Sequence, residues 1–121
     1  MIGQLRSVVI DCPDPRALAT FYSELLGLPL DEKGSSGDGW VVISGAGHRL
    51  AFQEALNLRP PTWPEPVVPQ QFHLDVQVDD VEAAERQVLA LGARRLPGGG
   101  DDFRVYADPA GHPFCLVFDV D

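Results

Sequence analysis

The sequence has few basic residues and little cysteine. Among its 121 residues, 9 are lysine or arginine and 18 are aspartate or glutamate, which gives a net charge of −9. A surface of this sign repels phosphate backbones, so the composition argues against a nucleic-acid partner. Cys12 and Cys115 are the only cysteines. They are too few for a disulfide scaffold, and we expect both to be free thiols in a reducing compartment.

Long apolar segments and phosphate-binding loops are also missing. No apolar run approaches the roughly 20 residues that a membrane-spanning helix needs. Residues 1–6 lack the long apolar core of a signal peptide. The glycines of Gly98-Gly99-Gly100 precede a strand pattern, whereas a phosphate-binding loop precedes a helix. We therefore expect a cytoplasmic protein with no membrane partner.

The most informative stretch is residues 71–80, in which apolar and polar residues alternate strictly. Phe72, Leu74 and Val76 fall on one side, and His73 and Asp75 on the other. Such alternation predicts a strand with one apolar and one polar face. The polar face is either an ordinary solvated surface or the wall of a polar cavity. An imidazole and a carboxylate can bind ligands or transfer protons, so the second reading makes His73 and Asp75 candidate catalytic residues.

Two similar halves flank a proline-rich connector over residues 59–70. In the first half, residues 1–58, the pattern predicts a strand over 5–11, a helix from an Asp14 N-cap to Gly27, a strand over 28–33, a loop over 34–39, and strands over 40–44 and 49–54. In the second half, residues 71–121, it predicts strands over 71–80, 93–97, 102–107 and 113–120, with a helix between the first two. That helix should begin at a capping-box-like pair, Asp79 and Glu82, and end at Gly92.

Several short sequence motifs recur at a nearly constant spacing in the two halves. Ser7-Val8-Val9-Ile10 corresponds to His73-Leu74-Asp75-Val76, and Ala46-Gly47-His48 to Ala110-Gly111-His112. Each half therefore reads as strand, helix and three strands. One half alone would leave its apolar surfaces partly uncovered, so the repeat predicts a single domain made of two joined modules.

In these motifs the chain resembles the vicinal oxygen chelate superfamily, in its glyoxalase-like and bleomycin-resistance-like branch. The resemblance also includes Phe21-Tyr22, Leu91-Gly92-Ala93 and the segment from Asp108 to Val117. It implies an α+β fold in which two tandem βαβββ modules form a curved sheet around a cavity. It also implies a homodimer, and a function among lyases, isomerases, dioxygenases, transferases or drug-binding proteins.

The resemblance also allows the metal ligands to be compared by position. Metal-using members carry ligands in the first, fourth, fifth and eighth strands, which correspond here to Ser7, Ala51, His73 and Cys115. Gln53 lies two residues after Ala51. Only His73 matches the expected residue type, so we expect no metal or other cofactor. A divalent metal bound through His73 is the alternative.

The remaining candidate residues would line a ligand cavity. Cys115 alternates with Phe114 and Leu116, which directs it away from their apolar face, either as a small apolar residue or as a nucleophile. Trp63 is either part of a spacer or a pocket wall, and Trp40 is either a wall or core. The predicted ligand-binding set is Ser7, Trp40, Gln53, Trp63, Phe103, Tyr106 and Cys115.

Two functions fit this set. One is a lyase or isomerase that acts on a small oxygenated metabolite with His73 and Asp75 as its acid/base groups. The other is a non-catalytic protein that sequesters a small aromatic compound, either neutral or cationic, by stacking and by the charge of Asp75.

Overall fold

The structure, a computed structural model, describes residues 1–120 and contains two compact units, Met1–Leu58 and a second that begins at Arg59. The first unit contains β1 (Val8–Cys12), α1 (Pro15–Leu26), β2 (Leu30–Ser36), β3 (Trp40–Gly45) and β4 (His48–Glu54). The second contains β5 (Leu74–Gln77), α2 (Val81–Ala90), β6 (Arg94–Arg95), β7 (Phe103–Ala107) and β8 (Pro113–Val117). No helix in the described part of the chain is long and apolar enough to span a membrane.

The first unit is a four-stranded sheet with α1 on one face. The strand order is β1-β4-β3-β2, with β1 parallel to β4 and the other neighbours antiparallel. The rings of Tyr22 on α1 and Phe52 on β4 stack with their centroids 5.8 Å apart. Ala51 and Gln53 flank Phe52 along β4, so alternation directs their side chains to the opposite face.

Helix α1 begins and ends where the sequence predicts. The Asp14 carboxylate accepts a hydrogen bond from the backbone N–H of Ala17 at 3.2 Å, which satisfies a donor that the helix leaves unpaired. Pro15 takes the first helical position, where no N–H is needed. Gly27 ends the helix in the left-handed region, with φ of 67°.

The second unit repeats this architecture, with strand order β5-β8-β7-β6 and β5 parallel to β8. The pairing registers are also equivalent: Val9 pairs with Ala51 in the first unit, and Asp75 with Cys115 in the second. The prediction of two βαβββ modules in an α+β fold is confirmed. The predicted homodimer and the predicted location stay predictions.

Helix α2 covers one face of the second sheet and is tied to it by a polar network. The Tyr106 hydroxyl donates to the Glu85 carboxylate at 2.8 Å, and Arg95 donates to the same oxygen at 2.7 Å. Arg104 on β7 pairs with Glu85 and Glu82. The Tyr106 ring also stacks on Phe114, with centroids 5.5 Å apart. This face is therefore packed against the helix.

Several predicted boundaries are wrong. The first strand, predicted over 5–11, covers Val8–Cys12. The N-cap of α2 is Asp80, not Asp79, because the Asp80 carboxylate accepts from Ala83 N at 3.1 Å and the helix begins at Val81. Strand β5 covers only residues 74–77 of the predicted 71–80. Its partner β8 begins at Pro113, which has no N–H to extend the ladder. Residues 34–36, predicted as loop, belong to the end of β2.

Other strands are shorter than their patterns suggest. β6 comprises two residues of the predicted 93–97, and β8 ends at Val117, before the predicted Val120. Beyond β8, the Phe118 N–H donates to the carbonyl of Asp102, and Asp119 has a φ of 56°. A left-handed residue turns the chain out of the extended conformation, so the ladder cannot continue.

Candidate functional site

The candidate site lies on the face of the second sheet opposite α2, which we call the site face. Buried residues on and beside it form an apolar cluster of Leu96, Val105, Ala107 and Cys115. Trp63, Phe103 and Val117 pack against this cluster and are partly buried. Successive side chains of β7 alternate between the two faces of the sheet. Val105 points to the site face, while Arg104 and Tyr106 point to α2.

Three polar side chains meet at one part of the site face. Their candidate ligand atoms, in His73, Asp75 and Cys115, all lie within 4.8 Å of one another. The His73 Nε2 is 3.3 Å from the Asp75 Oδ1. Asp75 and Cys115 are cross-strand partners in the β5–β8 ladder. The parallel register of β5 and β8 thus places the carboxylate beside the thiol, and His73 joins them from the position just before β5.

The thiol and the carboxylate of this cluster differ in exposure. Cys115 is 8% exposed, whereas the Asp75 side chain is 63% exposed. Burial is the main cause that raises the pKa of the Cys115 thiol, and the charge of Asp75 and a hydrogen bond to it add to the effect, bringing that pKa to about 11. At neutral pH Cys115 is therefore a protonated, weakly nucleophilic thiol.

A small pocket opens beside this cluster, with a volume of about 110 Å³. The Trp63 indole on one of its walls is held by a hydrogen bond from Nε1 to the carbonyl oxygen of Pro97 at 2.6 Å. The pocket combines aromatic and aliphatic walls with three polar side chains. Its lining residues are Trp63, Gln70, His73, Phe103, Val105, Pro113 and Cys115.

Gln70 is a pocket residue that the sequence reasoning missed. Its Oε1 is buried and has no hydrogen-bond partner among the described residues. The residue lies in the connector, before the alternating stretch begins, so no periodic pattern marked it. The only available signal was its position, between Pro69 and the strand that carries His73 and Asp75.

The structure brings together five of the predicted site residues: His73, Asp75, Cys115, Trp63 and Phe103. It does not bring Tyr106 to them. Tyr106 lies on the opposite face against α2, where burial and, next, the hydrogen bond to Glu85 raise its pKa to about 12.

The other three predicted residues belong to the first unit. Trp40 and Gln53 are cross-strand partners in β3 and β4, and Ser7 directly precedes β1. Their predicted participation in a site with His73 stays a prediction.

The side chains of His73, Asp75 and Cys115 also include the atom types that bind divalent metal ions. An imidazole nitrogen, a carboxylate oxygen and a sulfur suit a zinc-like divalent cation, which takes ligands at about 2.0–2.3 Å, so three donors within 4.8 Å fit one coordination shell. His73, Asp75 and Cys115 would hold such an ion, and it would supply Lewis-acid polarisation of a bound oxygen. Binding would require that Cys115 lose its proton.

Comparison with known proteins identifies the family. The model of the glyoxalase-like domain matches residues 7–117, which is almost the whole chain. This chain belongs to the glyoxalase-like domain family. No curated protein matches it.

Solved structures share the fold of this glyoxalase-like domain at low sequence identity. A glyoxalase/bleomycin resistance protein/dioxygenase family enzyme from Burkholderia phytofirmans is 18% identical, with a TM-score of 0.76 over 98% of this chain and 100% of that one. A possible glyoxalase from Bacillus cereus is 16% identical, with a TM-score of 0.71 over 97% and 99%.

A mutant of the fosfomycin resistance protein FosX from Listeria monocytogenes, complexed with Mn(II) and a dihydroxypropylphosphonic acid, is 20% identical. Its TM-score is 0.72 over 97% of this chain and 90% of that one. At these identities the likeness shows the fold alone.

The contact between Asp75 and Cys115 leads to a first prediction. In a Cys12→Ser background, which leaves Cys115 as the single thiol, we expect iodoacetamide to alkylate Cys115 slowly at pH 8. Asp75→Asn should speed alkylation several-fold, because loss of the negative charge lowers the thiol pKa and raises the thiolate fraction. Mass spectrometry of the native protein over time measures the rate.

Asp79→Asn is the matched control, since Asp79 lies in the same segment and does not contribute to the raised pKa of Cys115. It should leave the rate unchanged. Equal rates in the wild type and in Asp75→Asn would contradict the assigned contact.

Proposed function

We propose that this glyoxalase-like domain binds a small organic molecule non-covalently in the pocket of its second unit. The observation that carries the proposal is the convergence of polar groups on an apolar, aromatic-walled pocket, the usual make-up of a small-molecule site. Trp63 and Phe103 supply ring surface, and His73 and Asp75 supply polar contacts at its side. A protonated Cys115 supports non-covalent binding over a covalent intermediate.

The size of the pocket limits what it can enclose. A cavity of about 150 Å³ accommodates benzene, and sites for drug-sized ligands occupy about 300–1,000 Å³. The pocket beside His73 measures about 110 Å³. A neighbouring pocket of about 230 Å³ shares Trp63 and Pro113 with it and is also lined by Arg94. The pocket beside His73 is therefore smaller than a cavity that encloses benzene, and it suits a small metabolite or part of a ring whose remainder extends out of the pocket.

The charge of the site selects among such compounds. Its lining residues include no lysine or arginine, and Asp75 brings a negative charge beside it in a protein of net charge −9. The FosX relative was solved with a phosphonic acid together with Mn(II). An anion of that kind would face Asp75 here without a fixed cation, so the proposed ligand is neutral or cationic.

A second candidate function is proton transfer. The His73 imidazole and the Asp75 carboxylate lie 3.3 Å apart beside the pocket, an arrangement that suits an orienting carboxylate and an acid/base group. This pair favours a lyase or isomerase acting on a small oxygenated metabolite. Turnover of such a compound, lost in His73→Ala, would separate the enzyme from the binding protein.

We also propose that the site works without a resident metal ion. Among its described residues the second unit offers three donors at this place, and the side chains of two of them, His73 and Asp75, are 44% and 63% exposed. The positions at which metal-using members carry further ligands hold Ser7 and Ala51, neither of which is a strong ligand.

Metal content leads to a second prediction. Elemental analysis of purified protein should find less than about one tenth of an equivalent of zinc, nickel, iron or manganese, because two of the three donors are exposed to water and Ser7 and Ala51 add no strong ligand. His73→Ala serves as the control. One equivalent of metal in the wild type that disappears in this variant would overturn the proposal.

Ligand binding leads to a third prediction. In a Trp40→Phe background, Trp63 is the only tryptophan, and single-ring compounds that enter the pocket should change its fluorescence. His73→Ala should weaken binding of such a compound about tenfold, the usual effect of one lost polar contact. Because the His73 side chain is 44% exposed, the change should alter the free energy of unfolding by no more than about 0.5 kcal/mol.

His48→Ala is the matched control, because His48 is an exposed histidine in the first unit. It should leave both affinity and stability unchanged. The proposal fails if single-ring compounds leave the Trp63 fluorescence unchanged, or if a folded His73→Ala variant binds them with wild-type affinity.

A further inference from the structure

A second pocket opens on the site face, next to the one beside His73. It has a volume of about 230 Å³ and shares Trp63 and Pro113 with its neighbour. A cavity of about 150 Å³ accommodates benzene, so this pocket has room for one ring and a substituent. Leu96 and Ala107, two members of the apolar cluster, also line it. The second pocket therefore offers apolar contacts to a small ring.

Arg94 is the one charged residue among those that line this pocket. Its neighbour Arg95 lies on the opposite face of the sheet, where it donates to Glu85 on α2. Alternation along β6 therefore directs Arg94 to the site face, beside its cross-strand partner Ala107. The second pocket thus has a positive charge at its wall, whereas the pocket beside His73 has none.

The guanidinium of Arg94 is available to a ligand. Arg95 and Arg104 are paired with carboxylates of α2, but Arg94 is exposed and has no hydrogen bond or ion pair with any residue that the structure describes. An anion that binds Arg94 therefore displaces only water. A guanidinium presents two parallel N–H groups, which match the two oxygens of a carboxylate.

Two other polar side chains of the second pocket already have partners. The Thr62 hydroxyl donates to the Glu65 carbonyl, and the Trp63 indole N–H donates to the Pro97 carbonyl at 2.6 Å. Neither donor is free to bind a ligand unless it gives up that bond. Arg94 is therefore the group that selects the polar part of a ligand in this pocket.

The sheet separates Arg94 from the negative charge of Asp75. The strand order β5-β8-β7-β6 places these residues on the two edge strands. Three strand spacings of about 4.8 Å put the two backbones roughly 14 Å apart, which exceeds the Debye length of about 8 Å at physiological salt. An anion bound at Arg94 is thus largely screened from Asp75.

We infer that the second pocket binds a single-ring organic acid, with the ring against Trp63 and the carboxylate on the Arg94 guanidinium. One fixed positive charge balances a monoanion. A phosphate dianion would keep an unbalanced charge in a protein of net charge −9. This site is additional to the proposed function, which places a neutral or cationic ligand beside His73.

The test compares benzoate with its nearly isosteric neutral analogue, benzamide, in NMR titrations of the isotopically labelled full chain. The amide signals of Leu96, Ala107 and Gly111 report on the second pocket, and those of His73 and Cys115 on the first. Through the second-pocket signals, wild-type protein should bind benzoate about fivefold more tightly than benzamide, the usual effect of one partly exposed ion pair. Salt at 1 M should remove this preference.

Three variants separate the Arg94 contact from net charge and from folding. Arg94→Gln should remove the preference, mainly by weakening benzoate binding, and Arg94→Lys should keep part of it, because the charge stays and the fork is lost. The Tm of both should equal that of the wild type, since Arg94 is exposed and unpaired among the described residues. Arg86→Gln is the matched control: it removes an exposed arginine of α2 and should keep the preference.

Several outcomes would overturn the inference. One is equal affinity of the wild type for both probes, or a preference for benzoate that persists in Arg94→Gln. Another is an equal loss in Arg86→Gln, which would make net charge the cause. Phenyl phosphate that binds more tightly than benzoate would contradict the monoanion class.

The two pockets also fail separately. Benzoate that shifts only the signals of His73 and Cys115 would overturn the inference and leave the proposed function standing. Benzoate that shifts the second-pocket signals through Arg94, while neutral rings leave the signals of His73 and Cys115 unchanged, would support the inference and count against the proposed function.

Discussion

The parallel pairing of β5 with β8 is the constraint on which the candidate site depends. Leu74 pairs with Phe114, and Asp75 with Cys115. Phe114 and Leu116 are fully buried, and alternation then sends Cys115 to the other face. A slip of one residue would bury the acid and expose the apolar side chains, so the hydrophobic effect enforces the register. The same register fixes the contact between thiol and carboxylate.

The second requirement is the connector, which supplies two of the pocket residues. Its prolines prevent it from joining the sheet as a central strand. It instead carries Trp63 to the site face, where the indole N–H reaches the Pro97 carbonyl. The pocket is thus bounded by strands on one side and by a restrained irregular segment on another. Irregular segments on a rigid sheet are common carriers of ligand contacts.

The parts of this arrangement that follow from periodicity could be predicted from the sequence. The repeat predicts two βαβββ modules, and alternation predicts that His73, Asp75 and Cys115 leave the helix-covered face. Phe103 and Tyr106 both enter the predicted ligand set through their rings. They stand three residues apart on one strand, so the two side chains must point to opposite faces.

The parts without a periodic pattern could not be predicted. Gln70 lies in an irregular segment, and its burial depends on how that segment folds over the sheet. The choice between Asp79 and Asp80 as N-cap depends on one residue of helix boundary, since either carboxylate could cap. The length of β5 depends on where its partner strand begins, which is a tertiary property.

The most direct test of the central claim is a crystal structure of the full chain soaked with a library of single-ring compounds. The account predicts density for bound rings between Trp63 and Phe103, within contact of Cys115. Density for bound compounds at other places, with this pocket empty in every soak, would contradict it.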